Sequence, residues 1–208
     1  MRVALFDYGV GNLHSLGKAL EERGVEVRVT ADWPEALRQD ALVLPGVGAF
    51  SAAVEALPED RAPLREAMMN GLPTLGICLG MQLLFDSSEE GMGEGIGIIP
   101  GRVRRLRAEV VPQMGWNVVE LSGDPLFDGL GQLDAYYANS FVCEPDDPTH
   151  AIGWSQYESD RFTCVVRRGS VWGAQFHPEK SSHPGRKMIH NFLEQVRLRM
   201  EHSDGGVR

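Results

Sequence analysis

The fold follows from residues 73–80, which read Pro73-Thr74-Leu75-Gly76-Ile77-Cys78-Leu79-Gly80. The stretch up to Ile77 is a short, mainly apolar run, as expected of a strand buried in a parallel sheet. The apolar residues that follow Gly80 predict a helix, so Cys78 stands at a sharp strand-to-helix turn. A nucleophile on such a turn has a strained backbone and needs small residues two positions away on each side. Gly76 and Gly80 meet that need, which makes Cys78 a candidate nucleophile.

Outward from this turn, the amino-terminal half alternates strand patterns with helix patterns. Short apolar or alternating runs at 3–6, 25–29 and 41–44 predict three more strands. Helical spacing of apolar residues predicts helices at 13–20, with Asn12 as N-cap, and around 64–68. Strands that alternate with helices indicate a parallel sheet with right-handed crossovers.

The carboxyl-terminal half has many strand-like runs and few helices, which predicts antiparallel pairing. Its predicted strands lie at 103–106, 117–121, 135–138, 162–166 and 171–176, and a last helix starts at Pro184. No linker or repeat is present. The sequence therefore predicts an α/β fold: one domain over residues 1–202 and a frayed tail at 203–208. Its sheet is expected to be open, twisted, mostly parallel and flavodoxin-like, with helices on both faces and antiparallel additions.

The composition excludes several classes of protein. The 29 acidic residues outnumber the 20 basic ones, giving a net charge of −9, which argues against a nucleic-acid partner. No run is apolar for long enough to form a membrane span or a signal peptide. Three cysteines are an odd number and too few for a disulfide framework. We therefore expect a cytoplasmic protein with reduced cysteines and no membrane partner.

A nucleophilic cysteine needs a base, and His177 is the best candidate of the six histidines. It stands in Phe176-His177-Pro178-Glu179, at the end of an apolar run. Residues i and i+2 of an extended chain point the same way, so Glu179 can reach one ring nitrogen of His177 and leave the other for Cys78. The sequence thus predicts a Cys-His-Glu triad. The alternative is that Cys78 is only a small buried residue and Glu179 a solvated carboxylate.

Other candidate sites are weaker. The turn at Gly9 and Gly11 lacks the third glycine of a dinucleotide site, and we interpret it as a turn. The spacing of His177 and His183 is not that of metal ligands, so no metal and no cofactor are expected. The basic run at 102–107 is interpreted as a solvated strand edge.

The strand-to-helix turn at 76–80, called the elbow below, and the segment 176–179 together resemble the class I, triad-type glutamine amidotransferases. The resemblance covers the whole chain. Within that class, the sequence is similar to the glutaminase subunits of imidazole glycerol phosphate synthase, an enzyme of histidine biosynthesis. The segments that carry this closer similarity are 7–12 with His14-Ser15, 45–50, 81–85, 114–117 and 177–181. The chain departs from the family at Gln113 and Asn139, where histidine is common.

The resemblance implies a mechanism and a partner. Cys78 would attack the side-chain amide of L-glutamine, and the oxyanion would face backbone amides at Gly46, Val47 and Leu79. The residues expected to hold the glutamine are Gln82, Asn139, Ser140 and Phe141. Ammonia would pass to a separate synthase chain, a (βα)₈ barrel that forms a heterodimer with this one and makes imidazole glycerol phosphate and aminoimidazole carboxamide ribonucleotide. The partner would contact Asn12, Trp116 and Lys180.

Two other functions compete with this interpretation. A stand-alone cysteine hydrolase would use the same elbow on esters or peptides, and its rate would not depend on a partner. An inactive amidotransferase-like module would only bind or regulate, but it would not need all three triad residues. Length favours a partner, because the predicted elements use nearly all 208 residues and leave no second domain to consume ammonia.

Overall fold

The computed structural model describes residues 1–9, 13–21 and 24–204 of the chain. In this part of the chain, thirteen strands join one sheet. They are β1 (Arg2–Phe6), β2 (Glu26–Thr30), β3 (Ala41–Leu44), β4 (Thr74–Ile77), β5 (Ser87–Ser88), β6 (Gly91–Glu94), β7 (Gly101–Arg105), β8 (Gln113–Leu121), β9 (Leu133–Asn139), β10 (Phe141–Pro145), β11 (Ala151–Tyr157), β12 (Asp160–Arg168) and β13 (Val171–Ala174).

Six α-helices and three short 3₁₀ turns accompany these strands in the described ranges. The helices are α1 (His14–Glu21), α2 (Trp33–Ala36), α3 (Phe50–Glu55), α4 (Ala62–Met69), α5 (Leu79–Gln82) and α6 (Ser182–Asp204). The 3₁₀ turns span Pro125–Phe127, Pro148–His150 and Pro178–Lys180. None of these helices combines the length and the apolar character needed to cross a membrane.

The first half of the sheet is parallel, as predicted. Its order is β2-β1-β3-β4-β13, and β4 lies between β3 and β13. Strands β1, β3, β4 and β13 are buried almost throughout, since helices cover both faces of this half. Apolar residues of α1 and α6 pack on one face, and those of α2 to α5 pack on the other. The carboxyl ends of β3, β4 and β13 therefore meet at one edge, where the elbow lies.

The second half is mainly antiparallel, which confirms the expectation for the carboxyl-terminal residues. Strand β12 continues the sheet from β13 to β10 and β7, and β11 leads from β12 to the pair β8 and β9. The sequence did not predict β5, β6, β10 or β11. Strand β6 is rich in glycine and β10 ends in Glu144-Pro145, so local propensity hides strands that their neighbours stabilise.

The prediction of a solvated strand edge at 102–107 is wrong for Arg104. Strand β7 lies between β10 and β5, so it is not an edge. The guanidinium of Arg104 is buried and donates two hydrogen bonds to Asp160, at 2.7 and 2.9 Å. A buried charge is tolerated only when it is paired, and this bidentate pair joins β7 to the start of β12.

The last helix is longer than predicted. It begins at Ser182, two residues before Pro184, and its backbone continues to Asp204. Gly185 permits the close approach of its first turn, because a Cβ there would lie 2.2 Å from the carbonyl oxygen of Pro178. Residues 205–208, most of the tail predicted to fray, lie outside the described part of the chain.

Candidate active site

A strained residue and two close backbone approaches shape the turn at Cys78. Cys78 joins β4 to α5 with φ 50° and ψ −104°, a conformation that costs a residue with a side chain on the order of 1–3 kcal/mol. A Cβ at Gly80 would lie 2.0 Å from the carbonyl oxygen of Leu44, and one at Gly76 would lie 2.6 Å from the carbonyl oxygen of Gly80. Both glycines are therefore sterically required, as the sequence predicted.

The turn at 45–48 lies directly against the elbow. A Cβ at Gly46 would lie 1.8 Å from the carbonyl oxygen of Ile77 and 2.7 Å from the Cβ of Cys78. Gly48 has φ 125°, a conformation that favours glycine. This turn follows β3, the neighbour of β4, so the sheet itself brings the predicted oxyanion segment to Cys78.

His177 reaches the elbow because β13 is parallel to β4 and adjacent to it. The amide of Cys78 donates to the carbonyl of Ala174 at 2.7 Å, which aligns the ends of the two strands. His177 Nδ1 lies 2.9 Å from Glu179 Oε1, and both side chains are buried. The structure therefore brings the three predicted triad residues together.

The electrostatics favour a protonated His177 at neutral pH. Burial lowers the pKa of His177, but hydrogen bonds to Cys78 and Glu179 outweigh it and raise the pKa to about 9. A positively charged imidazole beside the sulfur stabilises a thiolate, which is the reactive form of cysteine. The arrangement can thus supply both a nucleophile and a proton donor.

Hydrogen bonds from β9 hold the His177 loop in place. The amide of His177 donates to the carbonyl of Tyr136 at 2.9 Å, and the amide of Tyr136 donates to Ser181 Oγ at 2.9 Å. Ser181 Oγ in turn donates to the carbonyl of His177 at 2.6 Å. Both the backbone N–H and the backbone carbonyl of His177 are therefore hydrogen-bonded, which fixes the backbone that carries the imidazole.

A cavity of about 240 Å³ opens beside Cys78 and His177. All the residues predicted for the oxyanion and for glutamine line it: Gly46, Val47, Leu79, Gln82, Asn139, Ser140 and Phe141. Gly48, Glu90, Ala138 and Lys180 complete the lining. The cavity is small and largely polar in its lining groups, so it fits an amino-acid-sized ligand.

Sequence reasoning missed two residues at this site. Gln175 is fully buried and its Nε2 lies 3.5 Å from Cys78 Sγ. Its position two residues before His177 was the available signal, because alternate residues of an extended chain share a face. Glu90 lines the cavity from the turn between β5 and β6, and its Oε2 accepts the amide of Phe50 at 3.1 Å. No local pattern points to Glu90, because the fold alone brings that turn to the site.

Gln113 and Asn139, the two residues at which the chain departs from the family pattern, are neighbours in the fold. Gln113 and Asn139 are cross-strand partners in β8 and β9, and both are buried. Asn139 Nδ2 donates to the carbonyl of Phe141 at 3.0 Å. The amide oxygens of Gln113 and Asn139 have no partner among the described residues. Gln113 and Asn139 are therefore a neighbouring pair of buried amides, of which Asn139 lines the cavity.

The residues predicted for the partner interface are exposed or lie outside the described ranges. Trp116 is 57% exposed, and its ring meets that of Tyr136 edge-on at 6.0 Å. Lys180 Nζ lies 6.0 Å from the centre of the same Tyr136 ring. Asn12 falls in 10–12, outside the described residues. Trp116 and Lys180 thus both lie close to the ring of Tyr136, whose backbone holds the His177 loop.

Comparison with known proteins agrees with this geometry. The family profile described as "Glutamine amidotransferase class-I" matches residues 4–196. "Imidazole glycerol phosphate synthase subunit HisH" of Synechococcus elongatus is 43% identical over 203 residues, covering 94% of each chain. The HisH subunit of Corynebacterium glutamicum is 39% identical, covering 93% of this chain and 98% of its own. The chain belongs to the HisH family of class I glutamine amidotransferases.

Solved structures support the same fold at much lower identity. A glutamine amidotransferase crystal structure superposes with a TM-score of 0.73 at 19% identity, covering 93% of this chain and 98% of its own. PurLQS of Thermotoga maritima gives 0.72 at 20% identity, covering 94% and 98%. As a HisH-family amidotransferase, the chain is the glutaminase subunit of imidazole glycerol phosphate synthase in histidine biosynthesis. Membership implies a glutamine substrate and a separate synthase subunit.

Proposed function

We propose that Cys78 is the nucleophile that attacks the side-chain amide carbon of glutamine. Its thiolate would form a C–S bond while the amide C–N bond breaks, giving a glutamyl thioester and ammonia. Water would then hydrolyse the thioester and release glutamate. The observation that carries this proposal is the contact of Cys78 with a buried His177 that is itself bonded to Glu179 at 2.9 Å.

His177 moves the protons of both steps. His177 would take the proton of Cys78 as the sulfur attacks and deliver it to the leaving ammonia, and its pKa, raised to about 9, favours the protonated ring between the two transfers. The neutral ring can then take a proton from the water that attacks the thioester. Glu179 orients the ring and stabilises its charged form.

Backbone amides at the elbow would stabilise the oxyanion. Leu79 is the first residue of α5, so its N–H has no acceptor within the helix. Gly46 and Val47 line the same cavity, in the turn that packs against the elbow. A donor of this kind contributes on the order of 3 kcal/mol to transition-state stabilisation when its N–H faces the developing charge.

The cavity lining suits the amino-acid end of glutamine. Glu90 supplies a carboxylate for the α-ammonium group, and it reaches the cavity from the turn between β5 and β6. Gln82 and the residues 139–141 supply amide and hydroxyl groups for the α-carboxylate and the substrate's own polar atoms. Glutamine is thus distinguished from esters and peptides, which lack one or both charged ends.

We propose that a (βα)₈-barrel synthase docks on the outward surface of β8 and β9 to form a heterodimer. Met114, Trp116 and Val118 alternate along β8 and are all at least half exposed. We call these three residues the β8 face. Large apolar side chains in such a row are typical of an interaction surface. Lys180 lines the catalytic cavity and also lies near Tyr136, so this surface adjoins the opening through which ammonia would leave.

We also propose that the protein acts in the cytoplasm. Cys78, Cys143 and Cys164 are all free and buried. A cytoplasmic environment keeps thiols reduced, and the proposed chemistry depends on a reduced Cys78.

The test is a Cys78→Ala variant assayed together with the synthase subunit. Glutamine hydrolysis and the glutamine-driven synthase reaction should both be lost, while the ammonia-driven reaction of the complex should remain. A stand-alone hydrolase would act on esters at a rate indifferent to the partner, and an inactive module would show no wild-type glutaminase to lose. Survival of glutamine turnover in Cys78→Ala would contradict the proposal.

A further inference from the structure

A chain of side-chain hydrogen bonds runs from Cys78 to the wall of the cavity. Gln175 Nε2 lies 3.5 Å from Cys78 Sγ, and Gln175 Oε1 lies 3.3 Å from Gln82 Nε2. Gln82 Nε2 also lies 3.4 Å from the carbonyl oxygen of Phe141. Gln82 and Gln175 are both buried, so solvent does not compete for these contacts.

The direction of this chain is fixed by the backbone. A carbonyl oxygen only accepts hydrogen bonds, so Gln82 must turn its NH₂ group toward Phe141. The same NH₂ group faces Gln175, which must therefore present its oxygen to Gln82. The NH₂ group of Gln175 is left to face the sulfur of Cys78.

This orientation has a chemical consequence. An amide NH₂ group can donate to a thiolate, but it has no basic site that could take the proton of a thiol. Hydrogen bonds to an ionised acceptor are about twice as strong as neutral ones. A hydrogen bond from Gln175 therefore favours the charged form of the sulfur, in addition to the contact from His177. The backbone N–H of Gln175 donates to the carbonyl of Cys164 at 2.8 Å, which anchors the residue to β12.

We propose that Gln175 is a positioning residue with two tasks: its NH₂ group supports the Cys78 thiolate, and its oxygen holds Gln82 in the cavity wall. The proposal rests on the proposed function, in which Cys78 attacks glutamine. The two tasks use different atoms of one side chain, so substitutions can separate them.

Two variants of the full chain, each assayed with the synthase subunit, separate the tasks. Gln175→Glu keeps the shape and the oxygen that holds Gln82, but it replaces the donor at the sulfur with an acceptor. Gln175→Met removes both polar atoms at similar length. We would measure the rate of Cys78 alkylation by iodoacetamide, followed by mass spectrometry of the Cys78 peptide, together with kcat and KM for glutamine.

Gln175→Glu should lower the alkylation rate and kcat at least about tenfold while KM changes less than about twofold. Gln175→Met should show the same loss in alkylation and kcat, and its KM should also rise. Wild-type alkylation and turnover in Gln175→Glu would overturn the proposal, because Gln175 would then only fill space or hold Gln82.

Matched controls and one measurement without a variant complete the test. Gln156→Glu and Gln156→Met, on the exposed side of β11, should leave all three quantities unchanged. In the wild-type chain, the side-chain NH₂ resonances of Gln175 should shift when Cys78 is alkylated, and unchanged resonances would overturn the proposal. If Cys78→Ala still turned over glutamine, the proposed function itself would fail, which is a separate result.

Discussion

The elbow at 76–80 and the β8 face lie near the same cavity, but they differ in what constrains their residues. Contacts within the chain restrict the elbow, whereas the apolar side chains of the β8 face are exposed. At the elbow and the 45–48 turn packed against it, a Cβ at Gly46, Gly76 or Gly80 would lie 2.6 Å or less from a backbone oxygen, so each glycine is dictated by the chain itself. On the β8 face, Met114, Trp116 and Val118 leave half or more of their surface in solvent. Among the described residues, none covers the exposed half of these three apolar side chains. The elbow serves chemistry inside the subunit, and the β8 face fits contact with another one.

The largest effect is expected from adding a methyl group at the elbow, because it tests directly whether the backbone contacts there constrain the residue type. In Gly80→Ala, the new Cβ would lie 2.0 Å from the carbonyl oxygen of Leu44, so β3 and α5 would have to separate. We expect the free energy of unfolding to fall by more than about 3 kcal/mol and the glutaminase to be lost. Urea denaturation and glutamine turnover would measure both.

A matched control makes that result specific. A Cβ at Gly131 meets no atom within 4 Å, so Gly131→Ala should change the free energy of unfolding by less than about 1 kcal/mol. Equal stability of the two variants would show that the elbow is not sterically constrained.

The second prediction concerns the positive charge of His177, which lies beside the elbow. Because the pKa of His177 is raised from 6.5 to about 9 in the folded state, its stabilising contribution is complete below pH 6.5 and is lost as pH rises through 9. The loss should reach about 3 kcal/mol in the free energy of unfolding. Urea denaturation from pH 6 to 10 would measure it for the wild type against His177→Gln, which lacks the titration. Parallel curves for the two proteins would contradict the raised pKa.

The third prediction concerns Glu179, which the sequence placed beside His177. Glu179→Gln keeps the shape but removes the charge that stabilises the imidazolium, so kcat should fall on the order of 10²-fold. Stability should change little, as judged by urea denaturation. Unchanged turnover would mean that another carboxylate orients His177. Glu201→Gln, on the exposed end of α6, is the control and should keep full activity.

The fourth prediction concerns the β8 face, where substitutions should weaken partner binding more than they weaken the fold. Trp116→Ala loses an edge-on contact with Tyr136 and should cost less than about 1.5 kcal/mol in unfolding free energy. Affinity for the synthase subunit should fall at least about tenfold, measured by titration calorimetry. Met114→Ala should also weaken binding, whereas Met69→Ala, at similar exposure on α4, should not. Equal affinity for all three variants would place the interface elsewhere.

Local patterns in the sequence were enough to predict those features of the molecule that depend on short-range geometry. Alternating strands and helices predicted the parallel half, because a buried strand and an amphipathic helix each have a distinct period. Gly76 and Gly80 marked the elbow, since only glycine tolerates such backbone contacts. The spacing of His177 and Glu179 also predicted their hydrogen bond, although Glu179 reaches the ring from the 3₁₀ turn Pro178–Lys180 and not from an extended chain.

Tertiary structure alone decided the features that depend on distant pairing. Strands β10 and β11 are ended or interrupted by residues depleted in strands, such as Pro145 and Gly153, and pairing with their neighbours defines them. Glu90 lines the cavity because the turn between β5 and β6 lies beside α3. Arg104 is buried because Asp160, 56 residues away, pairs with it. The direction of Gln175 depends on Gln82 and on the carbonyl of Phe141, which are far apart in sequence. Such contacts are set by how strands pack side by side, and no local period in a sequence encodes that.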